Sequence, residues 1–289
     1  MSITLPISTR PRTRVPAGVA WNPSLTWRTL QETSTDSTNR LDDAVDRAFW
    51  ERAADGYHAD CLAARVPAIV ERVLRWVGPS DSVLEVGAGS GGFTLPVAQR
   101  AGRVTALDYS PAMLRVLGEN VRRAGLDNVT AAAGDLETAP LELHDVVLAA
   151  NALYRVRDAR PVVERLLQAA QKRLLVVWSV GRAQAWERAA REAVAPGRYR
   201  PGPDYIHLLD VLYELGADAE VELLVVAHDR VYSNQDEALA ALTTWPNPTS
   251  EELERCRELL PTLLERRMDG GYVAKVRDRI ALLRCERDA

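Results

Sequence analysis

At 289 residues the chain exceeds one average domain and falls short of two, so its length admits one domain with additions. Hydrophobic residues make up 47% and charged residues 26%, enough to bury a sizeable core, which excludes a wholly disordered chain. A net charge of -4 leaves no broad cationic surface for a phosphate backbone, although Arg10, Arg12 and Arg14 cluster near the start.

Residues 1–40 mix Pro6, Pro11, Pro16 and Pro23 with many Ser and Thr, a composition that reads as a loose arm anchored by Trp21 and Trp27. This stretch has no apolar signal-like core, and no run of eighteen apolar residues occurs in the chain. Helical apolar spacing begins at Leu41, passes through Ala48, Phe49 and Trp50, and resumes at Leu62, Val66, Ile69, Val70, Val73 and Val77 until Gly78-Pro79-Ser80 stops it. Short apolar runs then alternate with helical patterns, the signature of a parallel sheet wound by crossover helices. The expected strands are Ser82–Val86, Arg103–Leu107, Val129–Ala133, Asp145–Ala149 and Arg173–Ser179. Helices are expected over Gly91–Arg100, Pro111–Ala124 and Ala159–Ala170, with Ser110 as the N-cap of the second. Beyond Val180, helices near Ala183–Ala193 and Tyr205–Leu215 flank a turn-rich stretch and read as an insertion above the sheet. A sixth strand at Val221–Ala227, helices at Gln235–Leu242 and Ser250–Met268, and a last strand at Ile280–Cys285 complete the pattern. The expected layout is an arm (1–40) and one domain (41–289), with core 80–180, insertion or lid 181–218 and C-terminal strands and helices 219–289.

The strongest local signal is Glu85-Val86-Gly87-Ala88-Gly89-Ser90-Gly91-Gly92, where a strand breaks into glycines and opens a helix. Such a turn needs backbone angles open to glycine and lets a ligand approach the main chain. The spacing satisfies both G-x-G-x-x-G and G-x-G-x-G. Asp108, ending the second strand, suits either, because a carboxylate there accepts from ribose hydroxyls. Glu85 separates them, since a pyrophosphate gains nothing from a nearby carboxylate whereas a cationic ligand does. Gly134-Asp135 supplies a further acid at the carboxyl edge, suited to an adenine amino group.

These residues resemble the class I S-adenosylmethionine-dependent methyltransferases. Glu85 to Gly91 resembles their E-x-G-x-G-x-G motif; Asp108-Tyr109-Ser110-Pro111 with Met113 resembles the motif whose acid holds the ribose, and Gly134-Asp135-Leu136 the one whose aspartate meets the adenine. The resemblance covers roughly Ala48 to Val180. It implies S-adenosyl-L-methionine as cofactor and an α/β, Rossmann-like, doubly wound and mostly parallel sheet of seven strands with an antiparallel last strand, N-terminal helices and a helical insertion after the fifth strand. It also implies an aromatic N-terminal helix over the methionine end, with Trp50 and Tyr57 in position. The expected cofactor set is therefore Glu85, Gly87, Ala88, Gly89, Gly91, Asp108, Tyr109, Met113, Gly134, Asp135, Leu136, Asn151, Trp50 and Tyr57.

Methyl transfer from a sulfonium asks chiefly for alignment in a water-poor pocket, with a base only where the acceptor must lose a proton. The fourth strand ends in Asn151-Ala152-Leu153-Tyr154 at the edge where open sheets place ligands, so Asn151 and Tyr154 are the candidate acceptor-facing groups. Their spacing matches the N-P-P-Y motif of methyltransferases acting on nucleic-acid bases, without either proline. His58 and His207 are the candidate bases, and Arg198, Tyr199, Arg200 and Tyr205 form a polar and aromatic group suited to an acidic or aromatic substrate. Cys61, Cys256 and Cys285 form no C-x-x-C pair, which argues against a zinc site and a disulfide framework and for a reducing compartment. The expectation is a cytoplasmic, metal-free enzyme methylating a small molecule, as monomer or homodimer, with neither a membrane nor nucleic acid as partner. The alternatives are a nucleic-acid base methyltransferase and a non-catalytic cofactor-binding module.

Overall fold

The computed structural model describes residues 21–35, 41–181, 185–240, 242 and 249–287. Strands β1 (Ser82–Val86), β2 (Arg103–Asp108), β3 (Val129–Ala133), β4 (His144–Ala150) and β5 (Ala170–Val180) are joined by α5 (Thr94–Ala98), α6 (Pro111–Arg123) and α7 (Ala159–Ala169). These five strands run parallel; β6 (Ala219–Tyr232) and β8 (Tyr272–Glu286) complete the order β3-β2-β1-β4-β5-β8-β6. As expected, β8 runs antiparallel, to both β5 and β6. The sheet has eight strands rather than seven, because the two-residue β7 (Glu265–Arg266) pairs with β8 off the main path.

β4 and β5 read as continuous apolar runs because both faces of the sheet are covered. On one face Leu84, Val86, Val147, Ala149, Leu174 and Val176 pack against α7 and α9 (Tyr205–Glu214). On the other, Val83, Val146, Leu148, Leu175 and Val177 pack with Ile69 and Val73 of α4 (Pro67–Leu74) and with Val97 of α5. Ser110 caps α6 as expected, its Oγ accepting from Met113 N at 3.3 Å.

Part of the stretch read as a loose arm is helical. α1 (Pro23–Thr33) starts at Asn22, whose Oδ1 accepts from Leu25 N, and buries Pro23, Trp27 and Gln31 along one stripe. Trp27 is fully buried, donates from Nε1 to Val156 O at 2.9 Å and meets Trp178 edge to face. Arg10, Arg12 and Arg14 lie outside the described residues.

The segment 181–218 also divides differently from the single insertion expected. α9 is the crossover helix between β5 and β6, burying Leu208, Val211 and Leu212 in the sheet core. α8 (Ala185–Val194) instead joins α10 (Gln235–Ala240) and α11 (Ser250–Leu263), forming a cap through Trp186, Ala190, Leu239, Cys256 and Leu260. The cap rests on Tyr232, Tyr272, Ala274 and Val276, which belong to a β6–β8 ribbon longer than either expected strand. β5 ends at Val180, opposite Arg279, so residues 272–278 of β8 run on with β6 past the edge of the parallel sheet. At about 3.4 Å per residue that overshoot is roughly 20 Å.

Candidate active site

β1 ends in a turn built from left-handed residues, with φ of 67° at Gly87 and 55° at Gly89. A Cβ on Gly87 would come within 2.7 Å of Ala152 Cβ, whereas at Gly89 it would meet only Tyr57 Cε1, at 3.7 Å, so Gly89 faces open space. That space is a cavity of about 380 Å³ at the carboxyl edge of the sheet, where the connections leaving the neighbouring strands β1 and β4 run to opposite sides. Gly87, Gly89, Asp108, Tyr109, Met113, Gly134, Asp135, Leu136, Asn151, Tyr154, Trp50 and Tyr57 all border it.

Asp108 is buried, with Oδ2 accepting from Gly89 N at 2.7 Å and Oδ1 from Ser110 N at 2.8 Å. Burial raises its pKa, and the backbone donors from Ser110, Gly89 and Tyr109 oppose that rise. Gly134 N donates to Asp108 O, which brings Asp135 to the same wall; Asp135 Oδ1 accepts from Glu137 N. From above, α2 (Asp43–Asp60) lays Phe49, Trp50 and Tyr57 across the opening, their rings edge to face at 4.9 and 5.0 Å.

Several expected site residues do not touch the cavity. Glu85 lies beneath the turn, 1% exposed, accepting from Thr94 Oγ1 at 2.6 Å, and burial lifts its pKa to about 8. It is therefore not an exposed anion at the mouth of the cleft. Ala88 is buried with its N–H given to Leu107 O, and Gly91 packs against Leu117 and Leu95. His58 Nδ1 lies 3.2 Å from Ser90 Oγ, away from the cavity. His207 stands in the first turn of α9, where Nδ1 accepts from Asp204 N in a capping box, so its ring closes a helix end. Asn151 borders the cavity in a left-handed conformation, φ 50°, but its side chain is held by β5: Nδ2 donates to Ser179 Oγ and Oδ1 accepts from Ser179 N. The group at 198–205 lies elsewhere: Arg198 pairs with Glu252 at 2.6 Å, the Arg200 carbonyl accepts from Thr35 N, and Tyr205 packs into the sheet core.

Asp46, which is not among the residues expected from the sequence, is 1% exposed and receives hydrogen bonds from the hydroxyls of Tyr109 and Tyr154. Trp50 Nε1 donates to Tyr154 Oη at 2.8 Å, so Tyr154 is fixed from two sides. The Tyr109 hydroxyl is pushed well above its ordinary pKa, by burial first and by Asp46 next. Arg155 stacks over Tyr109, with its carbon 4.4 Å from the ring centroid, and stands 3.8 Å from both Asp46 and Asp135. Asp46 was legible in principle, since residues 46, 50 and 57 share one helical face; Arg155 carried no such signal.

The other end of the cavity is bordered by Leu62 and Arg65 from α3 (Leu62–Arg65), Val180 from β5, Arg230 from β6, and Asp278, Arg279 and Ile280 from β8. Among the described residues there is no group of three or more His, Cys, Asp or Glu able to hold a metal ion. No helix there is long and apolar enough to cross a membrane.

Residues 83–175 match the family described as a methyltransferase domain. An uncharacterized protein of Haemophilus influenzae is 34% identical over 153 residues, 51% of this chain and 55% of that protein. A 23S rRNA (uracil(1939)-C(5))-methyltransferase of Chromohalobacter salexigens is 43% identical over 72 residues, 24% of this chain and 15% of that one. The chain thus spans about half the length of the first of these relatives and a small part of the second. In fold it is similar to the crystal structure of a proposed methyltransferase from Bacillus halodurans, with a TM-score of 0.55 at 18% identity, covering 77% of this chain and 98% of that one.

Proposed function

We propose, from the match of residues 83–175 to a methyltransferase domain, that this chain is a class I S-adenosylmethionine-dependent methyltransferase that transfers a methyl group from S-adenosylmethionine to a small molecule. The observation that carries the reading is one continuous cavity with acidic acceptors and an open glycine turn at one end and a differently lined space at the other. Asp108 and Asp135 each keep acceptor capacity beyond their backbone bonds, as a ribose diol and an adenine amino group require. Tyr109, Met113 and Leu136 supply apolar wall for the base. Gly89 leaves the main chain open to approach.

The cofactor supplies a methyl group on a sulfonium whose sulfur is already a good leaving group. What this chain adds is alignment and exclusion of water. Phe49, Trp50 and Tyr57 roof the site, and Tyr154, its hydroxyl held by Trp50 and Asp46, presents a fixed polar wall. Asp46 is also positioned to take a proton through Tyr154 if the acceptor must lose one. The base-methyltransferase alternative rests on Asn151 and Tyr154, and it is weakened because the Asn151 amide already bonds to Ser179 through both its nitrogen and its oxygen.

We read residues 41–289 as one domain in which α8, α10 and α11 form the cap in place of a lid spanning 181–218. The same reading places the enzyme in the cytoplasm, as monomer or homodimer; the three cysteines, all buried and unbridged, support a reducing setting. Calorimetric titration with S-adenosylmethionine and with NAD tests the function: binding of the sulfonium and none of NAD is expected. Asp108→Ala should weaken cofactor binding by about 1–3 kcal/mol, the usual cost of losing a charge-assisted partner. Heat with NAD alone would reverse the assignment.

A further inference from the structure

We propose that the methyl acceptor carries an oxyanion, a carboxylate or a phosphate, received by Arg65, Arg230 and Arg279 at the end of the cavity away from the glycine turn. This rests on the methyltransferase reading and names the acceptor's chemical class.

The three arginines come from three elements, α3, β6 and β8, and border the same cavity as Gly89 and Asp108. The ribbon brings two of them there. Arg279 pairs in register with Val180, the last residue of β5, and Arg230 lies opposite Ala274, where β6 and β8 have already passed the edge of the parallel strands. A sheet that stopped at Val180 would lose Arg230 and Asp278 from this end of the cavity.

Among the described residues, two carboxylates lie within 4.0 Å of these arginines. Asp278 stands 3.7 Å from Arg65, and Glu187 of α8 stands 4.0 Å from Arg230. Among the described residues, three guanidiniums at this end of the cavity face these two carboxylates, one positive charge in excess. The turn end has the opposite balance, with Asp43, Asp46 and Asp135 around Arg155 and Asp108 beside Gly89. The Arg230 side chain keeps 33% of its surface exposed, so its charge is still hydrated and can exchange water for ligand oxygens. A planar guanidinium fork matches a carboxylate or phosphate edge in paired hydrogen bonds, while a cationic acceptor would be desolvated against like charge. Leu62, Val180 and Ile280 give an apolar surface for the rest of such a molecule.

The test uses the full chain saturated with S-adenosylhomocysteine and titrated with benzoate, phenyl phosphate, benzyl alcohol and benzylamine, with binding followed by NMR. Expected is binding of the two anions in preference to the alcohol and the amine. The Arg230→Gln/Arg279→Gln double variant should weaken anion binding at least tenfold while keeping its melting temperature and its affinity for S-adenosylhomocysteine. The stronger of benzoate and phenyl phosphate tells carboxylate from phosphate. Equal binding of alcohol or amine, anion binding unchanged in the variant, or no fragment bound at all would overturn the proposal; the arginines would then serve only to tie α3 and α8 to the ribbon. Failure of S-adenosylhomocysteine to bind is seen before any fragment is added and would remove the methyltransferase reading itself.

Discussion

Glu85 and Asp108 are two carboxylates of neighbouring strands, and the structure gives them different work. Asp108 ends β2 and borders the cavity; Glu85 lies one residue inside β1 and faces α5, where Thr94 is its hydrogen-bond donor. Burial is the main cause of the rise of the Glu85 pKa to about 8, the Thr94 bond opposes it, and the Asp108 charge adds to it. The folded state thus holds this proton more tightly than the unfolded chain, whose value is near 4.5. The stabilisation is complete below about pH 4.5 and is lost as pH rises through about 8. Glu85→Gln keeps the shape and removes the titration. Its stability in urea relative to the parent should therefore improve steadily from pH 5 to pH 8; parallel profiles for the two proteins would show that the carboxyl is ionised when folded. Sequence placed Glu85 correctly in a strand before the glycine turn, but strand register decides which face a side chain takes, and that face is covered by α5.

Among the elements, α1 shows where composition misleads. The proline-, serine- and threonine-rich start reads as unstructured, yet Asn22 caps and Pro23 opens a helix whose buried stripe is Pro23, Trp27 and Gln31. One member of that stripe is polar, so apolar periodicity does not find it: Gln31 is buried with Nε2 donating to the Tyr154 and Val156 carbonyls. Trp27→Ala removes a fully buried ring and the donor to Val156 O, and should cost about 3–5 kcal/mol in urea unfolding. A loss within ~0.5 kcal/mol would mean that α1 is an ornament. β8 was recognised only over its C-terminal half. Residues 280–285 are buried between helical layers and read as apolar, whereas residues 272–279 alternate Tyr272, Ala274 and Val276 with Lys275 and Arg277 until Asp278 breaks the pattern. For the same reason the helix expected to reach Met268 ends at Leu263, where the chain turns to pair as β7.

At the scale of the whole molecule, the cavity is a joint product of the parallel sheet, α2 above it and the β6–β8 ribbon beside it. A ligand held between them stabilises only the folded chain. At one hundred times its dissociation constant S-adenosylhomocysteine should add about 2.7 kcal/mol. For a chain of this size that corresponds to a rise in melting temperature of roughly 4–5 °C. NAD should leave the melting temperature unmoved; a rise with NAD and none with S-adenosylhomocysteine would contradict the cofactor assignment. The order of strands and crossover helices, the glycine turn and the acids after β2 and β3 were all legible in the sequence. They depend on local periods and on backbone conformations that particular residues impose within a few positions. The acceptor end was not legible: Arg65 lies more than two hundred residues before Arg279 in the sequence, and the three arginines border one cavity because β8 pairs with both β5 and β6 and overshoots the sheet. The same holds for Asn151, whose amide is taken up by Ser179 of the neighbouring strand β5. Sequence alone determined the parallel strands and the glycine turn, because both are written in short-range chemistry; long-range pairing decided the acceptor wall and the β6–β8 ribbon, because those depend on what packs against them.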